Sequence, residues 1–176
     1  PFEHNAFTFF VEAPIFVFRE WQRHRMGSFN EMSGRYTQLL PKFYIPAHDR
    51  PVVNEGTKMR PDFVFSHEDE AAGFREELKH QSSSAWLAYE DALADGIAHE
   101  VARMVLPVNV YSQMYWTVNA RSLMNFLSLR VESDDSAVRS YPQLEIQLGA
   151  VQVEAVFAQQ MPLTHAAFVA NGRVAP

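Results

Sequence analysis

Residues 108–118, VNVYSQMYWTV, carry the cleanest periodicity in the chain: Val108, Val110, Met114, Trp116 and Val118 alternate with Asn109, Tyr111, Gln113, Tyr115 and Thr117. A side-chain period of two is that of an extended strand, so this run is expected to be a strand with one apolar face. It passes directly into NARSLMNFLSLR, residues 119–130, where the pattern becomes helical. Asn119 stands at a helix N-cap position, and Arg121 and Asn125 fall one turn apart. Polar groups therefore gather where the strand hands over to the helix.

Other elements follow from the same rules. Phe7, Phe9 and Val11 alternate like a strand, and Pro14 can occupy the first turn of a helix over 14–25 that Gly27 stops. On that helix Glu20, Arg23 and His24 would share a face, with Arg19 and Arg23 stacked one turn apart. Residues 40–46 are expected as a short strand closed by proline, followed by a loop to about Asp62. Acids in the first turns and a stripe of Phe74, Leu78, Ala85, Tyr89 and Leu93 predict a long helix over 67–95, ended by Gly96. A short helix is expected in HEVARMVLP, and a last one from Pro142 to about Gln160, supported by Leu144, Leu148, Val151 and Val156. Phe7, Phe9, Trp116 and the Phe74 stripe are assigned to the core or to a subunit interface. No internal repeat or composition shift divides the 176 residues, so 1–176 is read as a single domain, and 47% hydrophobic content suffices for its core.

Composition removes several functions. No apolar run approaches the roughly 18 residues of a membrane span, so no membrane association is expected. The absence of cysteine excludes a disulfide framework, a thiolate metal site and a cysteine nucleophile. His4, His24 and His99 match no ligand spacing, and no metal is expected. A net charge of −6 argues against a nucleic-acid coat, yet twelve of the fifteen basic residues are Arg. The planar Arg fork grips phosphates and carboxylates with paired hydrogen bonds, which points to small anionic ligands.

Those ligands have an obvious place to bind. Residues 23–36, RHRMGSFNEMSGRY, crowd cations, carboxylate, serines and asparagine into one stretch. Taken singly, Arg23-His24-Arg25 would be a solvated helix end, Asn119 a cap and Arg103 or Arg130 a surface cation. An Arg-rich helix beside aromatic strands could also serve a single-stranded nucleic-acid module, although the acidity and the lack of interleaved basic and aromatic residues count against it. A third reading is a catalytically inactive oligomerisation domain.

The joint pattern decides. Arg-His-Arg, seven residues, then Ser33 resembles the signature of the flavin-dependent thymidylate synthases, and PFEH at residues 1–4, VARMVLP at 101–107 and NARSLMNFLSLR at 119–130 occur in that family's order. The resemblance implies an α+β fold, an antiparallel sheet packed with long helices, lacking its N-terminal segment in this chain. That segment resembles one carrying flavin contacts. It also implies reductive methylation of deoxyuridylate (dUMP) to dTMP, with methylenetetrahydrofolate as one-carbon donor, FAD as cofactor and NADPH as its reductant. The zero cysteine count fits this route. A homotetramer with sites between subunits and a cytoplasmic location are implied too.

By the same resemblance, Glu3, Arg23, His24, Arg25, Glu31, Asn119, Arg121 and Asn125 would serve FAD. Glu20, Trp21, Gln22, Arg23, Glu31, Met32, Ser33, Gly34, Arg35 and Arg103 would hold the nucleotide, with Arg130 beside the uracil ring as the catalytic residue. Ser33 has no visible His-Asp pair to activate it and is assigned a hydrogen-bonding role. The stretch ESDDSAVRSYPQLEIQ, 132–147, is longer than the family's usual turn.

Overall fold

The alternating run becomes the middle strand of a three-stranded sheet. In the computed structural model, which describes residues 1–65 and 67–176, β5 (Tyr111–Val118) lies between β1 (Phe7–Pro14) and β2 (Ser28–Glu31). Ser112, Met114, Trp116 and Val118 are buried while the residues between them are not, as a period of two requires. Val108, expected on the apolar face, precedes the strand and is exposed.

The chain forms two compact units, and the first comprises Pro1–Val11, Val17–Asn30 and Met114–Pro176. Its helices are α4 (Ala120–Arg130), α5 (Leu144–Gln160) and α6 (Pro162–Ala170), together with most of α1 (Ile15–Trp21). Asn119 caps α4 as its sequence position predicts, its side-chain oxygen accepting from the Ser122 N–H at 2.9 Å. The core is aromatic. The Trp116 ring centre lies 4.9 Å from that of Phe126, 5.4 Å from Trp21 and 5.8 Å from Phe9. Glycine is required beside this cluster, because a Cβ on Gly27 would stand 2.9 Å from the Trp116 Nε1.

The last predicted helix forms as α5; Ile146, Ala150, Val153 and Phe157 make its buried face, whereas Leu148, Val151 and Val156 are exposed. Both sets have helical spacing, so periodicity announces the helix without telling which side is buried. One correction in this unit is α6, which the sequence reading did not contain. Its signal is Pro162 at the first helical position, where the missing N–H is harmless.

The second unit, Glu12–Phe16 and Glu31–Gln113, contains α2 (Glu68–Ala94), α3 (His99–Ala102) and a 3₁₀ turn over Arg103–Val105. The helix α2 ends as expected at Gly96, whose φ is 82°. Gly96 N–H donates to the Leu93 carbonyl at 3.1 Å and Ile97 N–H to Ala92 at 2.9 Å, a Schellman closure. Its buried line is Ala71, Arg75, Ser82 and Tyr89; of the predicted stripe Tyr89 is buried, Leu78, Ala85 and Leu93 are half-buried, and Phe74 is 53% exposed.

Polar side chains of α2 pin the preceding loop. Arg75 donates at 3.1 Å to each of the Pro46, Ala47 and Arg50 carbonyls, and the Leu39 N–H donates to the Tyr89 hydroxyl at 3.4 Å. Asn109 donates at 3.0 Å to both the Tyr44 carbonyl and the Ser82 hydroxyl. Residues 40–46 are not a strand; only Phe43 bridges to Val110 there. The loop beyond holds an unforeseen antiparallel pair, β3 (Val53–Asn54) and β4 (Phe63–Val64), with Val53 opposite Val64. The Asn54 side chain supports it by accepting from the N–H groups of Gly56 at 3.0 Å and Asp62 at 2.9 Å. Among the described residues no helix is long and apolar enough to cross a membrane.

Candidate active site

The Arg-His-Arg run lies just beyond a helix rather than on one. Helix α1 stops at Trp21, after which Arg23 N–H bonds to the Glu20 carbonyl at 3.2 Å and His24 N–H to Trp21 at 3.1 Å. These i→i−3 bonds tighten the final turn, so the expected helical face of Glu20, Arg23 and His24 and the Arg19–Arg23 stack are not formed as predicted. Arg23 and Arg25 are exposed. Trp21, expected among the nucleotide residues, is 1% exposed and belongs to the aromatic core, while Gln22 beside it is half-buried.

The tightened turn brings Glu20 and His24 to the C-terminal end of α4. Arg130 Nε donates to His24 Nε2 at 3.0 Å, and Arg130 Nη1 donates to Glu20 Oε1. Both members of the ion pair are largely sheltered, with side chains 18% and 21% exposed. The imidazole rests edge-on against Phe126, ring centres 4.9 Å apart, which couples this polar group to the aromatic core.

As acceptor at Nε2, His24 is neutral. Burial, followed by the adjacent Arg130 guanidinium, lowers its pKa from 6.5 to about 4. Because the folded value is the depressed one, the stability this imidazole contributes is complete above pH 6.5 and is lost as the pH falls through about 4. Urea unfolding between these limits is therefore expected to weaken more steeply with acidification in the wild type than in His24→Gln, which has no imidazole to protonate. Equal slopes would exclude this origin of acid sensitivity.

A second grouping surrounds the start of α4. Glu3, Asn119, Arg121 and Asn125, four of the expected flavin residues, line one cleft of about 520 Å³ with Met26, Ser122, Ala175 and Pro176. Arg121 pairs with Glu3 and donates from Nε to the Pro176 carbonyl at 2.8 Å. Attraction to Arg121, chiefly through their hydrogen bond, holds the Glu3 carboxyl below its ordinary pKa. Ser122 and Met26 were missed by the sequence reading; Ser122 could have been found from its place three residues after the cap, where its N–H meets the Asn119 side chain.

The remaining expected residues lie in the second unit. Thr37 N–H bonds to the Ser33 carbonyl at 3.1 Å and Arg35 N–H to the Ser33 hydroxyl at 3.3 Å, so Ser33, Gly34 and Arg35 form one tight turn. Gly34 is buried there, and a Cβ on it would touch Arg103 Cδ at 3.4 Å. Arg35 pairs with Glu100 at 2.8 Å. Glu31 and Met32 lead into the turn, the Met32 N–H bonding to the Gln113 carbonyl at 2.8 Å. The Arg35 and Arg103 guanidiniums and the Ser33 hydroxyl are side chains of the kind a phosphate requires.

Known proteins resemble this chain in sequence and in fold. The model of the family described as "Thymidylate synthase complementing protein" matches residues 1–163. A flavin-dependent thymidylate synthase of Streptomyces coelicolor is 51% identical over 177 residues, spanning all of this chain and 72% of the relative. That of Tropheryma whipplei (strain TW08/27) is 52% identical over 176 residues, spanning all of this chain and 73% of its own. Among solved structures, the UMP/dUMP methylase PolB from Streptomyces cacaoi bound with 5-Br UMP superposes with a TM-score of 0.95 at 46% identity, covering all of this chain and 79% of that one. A PolB structure with 5-Br dUMP gives 0.93 at 45% identity, covering all of this chain and 75% of that one.

Proposed function

The chain belongs to the family of flavin-dependent thymidylate synthases, and from that premise we propose how its residues divide the work. The reaction is the reductive methylation of dUMP to dTMP, with methylenetetrahydrofolate as one-carbon donor and FAD, reduced by NADPH, as cofactor. The observation that carries the assignment is the convergence of Glu20, His24 and Arg130 at the end of α4.

The cleft at the start of α4 suits part of FAD. The Arg121 guanidinium matches a pyrophosphate, and the side-chain amides of Asn119 and Asn125 offer further polar groups. Glu3 holds Arg121 in place, and the exposed Arg23 and Arg25 complete the set together with Glu31; His24, which the resemblance also gives to FAD, is engaged by Arg130 instead. When bound, FAD supplies the electrons that reduce the transferred one-carbon unit to a methyl group.

For the nucleotide, we assign the phosphate to the turn of Ser33, Gly34 and Arg35 with Arg103. The resemblance adds Glu20, Trp21, Gln22, Arg23, Glu31 and Met32 as nucleotide contacts, Trp21 through the backbone because its ring is buried. Arg130 faces the pyrimidine. As negative charge develops on the ring, a fixed guanidinium stabilises it more strongly in the transition state than in the ground state. Carbon C5 is thereby made a better nucleophile without a covalent thiol adduct, which this cysteine-free chain could not form.

Residues 1–176 act as one catalytic domain of a cytoplasmic enzyme, assembled as a homotetramer with its sites between subunits. Exposed apolar side chains support the assembly, among them Phe10, Tyr115, Leu148, Val151, Phe74 and Leu87. Light scattering that returned a flavin-loaded monomer would refute it.

Arg121→Ala tests the cofactor assignment. Loss of a charge-assisted hydrogen bond, worth ~1.5–3 kcal/mol, is expected to weaken flavin retention about tenfold or more. The ratio of flavin to protein absorbance after gel filtration reads this directly. A variant that keeps its flavin and loses only dUMP affinity would assign Arg121 to the nucleotide instead.

A further inference from the structure

The resemblance gives His24 to the flavin, but its Nε2 already has another partner: it accepts from Arg130 Nε at 3.0 Å, while Glu20 takes the Arg130 Nη1 donor. We propose that His24 is a positioning residue for the pyrimidine step, a neutral acceptor that with Glu20 fixes the plane of the Arg130 guanidinium and directs Nη2 toward the uracil ring.

Geometry and chemistry both support this role. An Arg side chain has several rotatable bonds, and one carboxylate on Nη1 leaves the fork free to swing about the contact. A second acceptor on Nε, at the other edge of the fork, defines the plane. The second acceptor must be uncharged, since two carboxylates would over-neutralise the cation whose charge stabilises the anionic ring. Imidazole meets that need when its Nδ1 carries the proton and Nε2 presents a lone pair. The ring is itself braced edge-on by Phe126, so the holder is rigid rather than another mobile side chain. The depressed His24 pKa, about 4, keeps it an acceptor at neutral pH. Glu20 and Arg130 are the charged groups bonded within this cluster, and Arg23 and Arg25 flank the imidazole along the chain; Arg130 favours the neutral form, and the Glu20 charge, which alone would favour protonation, is taken up by its pair with Arg130.

This inference rests on Arg130 serving the pyrimidine, and the experiment separates the two claims. In the flavin-loaded enzyme, His24→Phe keeps the ring packing against Phe126 but removes the acceptor, whereas His24→Gln keeps an acceptor oxygen. With the guanidinium free to move by an ångström, kcat for dUMP methylation in His24→Phe is expected to fall about 100-fold, with flavin content and KM for dUMP nearly unchanged. His24→Gln should recover much of that loss. The proposal is overturned if His24→Phe turns over normally, if Gln is as impaired as Phe, or if the loss follows flavin content. A readout independent of any variant is the ¹⁵N spectrum of histidine-labelled holoenzyme, in which His24 should be the Nδ1–H tautomer; a proton on Nε2 would overturn the proposal as well. If Arg130→Ala leaves methylation intact, the underlying assignment of Arg130 has failed; if Arg130→Ala is inactive and His24→Phe is not, only the positioning role has failed.

Discussion

Replacing Arg130 with Ala is expected to lower dUMP-dependent methylation by about 100-fold or more, equivalent to ~3 kcal/mol, the magnitude found when a donor to a developing anion is removed. The flavin should remain bound, because Arg130 does not line the cleft formed by Glu3, Asn119, Arg121 and Asn125. The substitution also leaves Glu20, a sheltered carboxylate, without its cation, so some loss of stability accompanies the loss of rate. Arg130→Lys separates these effects by restoring charge without the planar fork. Flavin stoichiometry, thermal midpoint and single-turnover rate should be measured on the same preparations. An Arg130→Ala protein that sheds FAD but methylates normally once saturated with it would show that the role assigned to Arg130 is wrong.

Trp116→Ala should produce the largest change in stability, about 3–5 kcal/mol as for other buried large aromatic residues. Trp116 is fully buried and lies within 6.5 Å, ring centre to ring centre, of Phe9, Trp21, Phe29 and Phe126. Its removal opens a cavity that four rigid rings cannot close by changing rotamer. Phe10→Ala, at a side chain 57% exposed on β1, supplies the control and should cost under 1 kcal/mol or so in the isolated subunit. Urea unfolding distinguishes them; a Trp116→Ala midpoint close to that of Phe10→Ala would mean that the aromatic cluster is not the energetic centre of its unit.

These elements differ in how plainly the sequence announced them. The strand at 111–118 and the Asn119-capped helix after it were legible because alternation, cap and helical spacing all agree over twenty residues. The ends of α2 were equally plain, with Glu68, Asp69 and Glu70 in its first turn and Gly96 beyond its last. Its buried face was legible only at Tyr89; Arg75 and Ser82 were not, because their burial depends on partners far away in sequence. The β3–β4 pair escaped notice because two-residue strands have no periodicity to read and are held instead by Asn54.

The candidate site was readable as a set of residue types and unreadable as a geometry. The joint motif named Glu20, His24 and Arg130, but nothing in the spacing placed an imidazole between Arg130 and the aromatic core. That relation depends on α1 stopping at Trp21, two residues before the motif begins, where the helical extrapolation ran on.

The grip of Arg75 on the Pro46, Ala47 and Arg50 carbonyls bears on how this protein can diversify. All three acceptors are main-chain oxygens, present whatever amino acid occupies those positions. Residues 46–50 can therefore accumulate substitutions that alter surface chemistry while the loop keeps its path, provided Arg75 itself is retained. One side chain on a helix thus confers mutational tolerance on a neighbouring segment, and libraries randomised at 47–49 should yield mostly folded proteins in an Arg75 background and mostly unfolded ones in an Arg75→Met background.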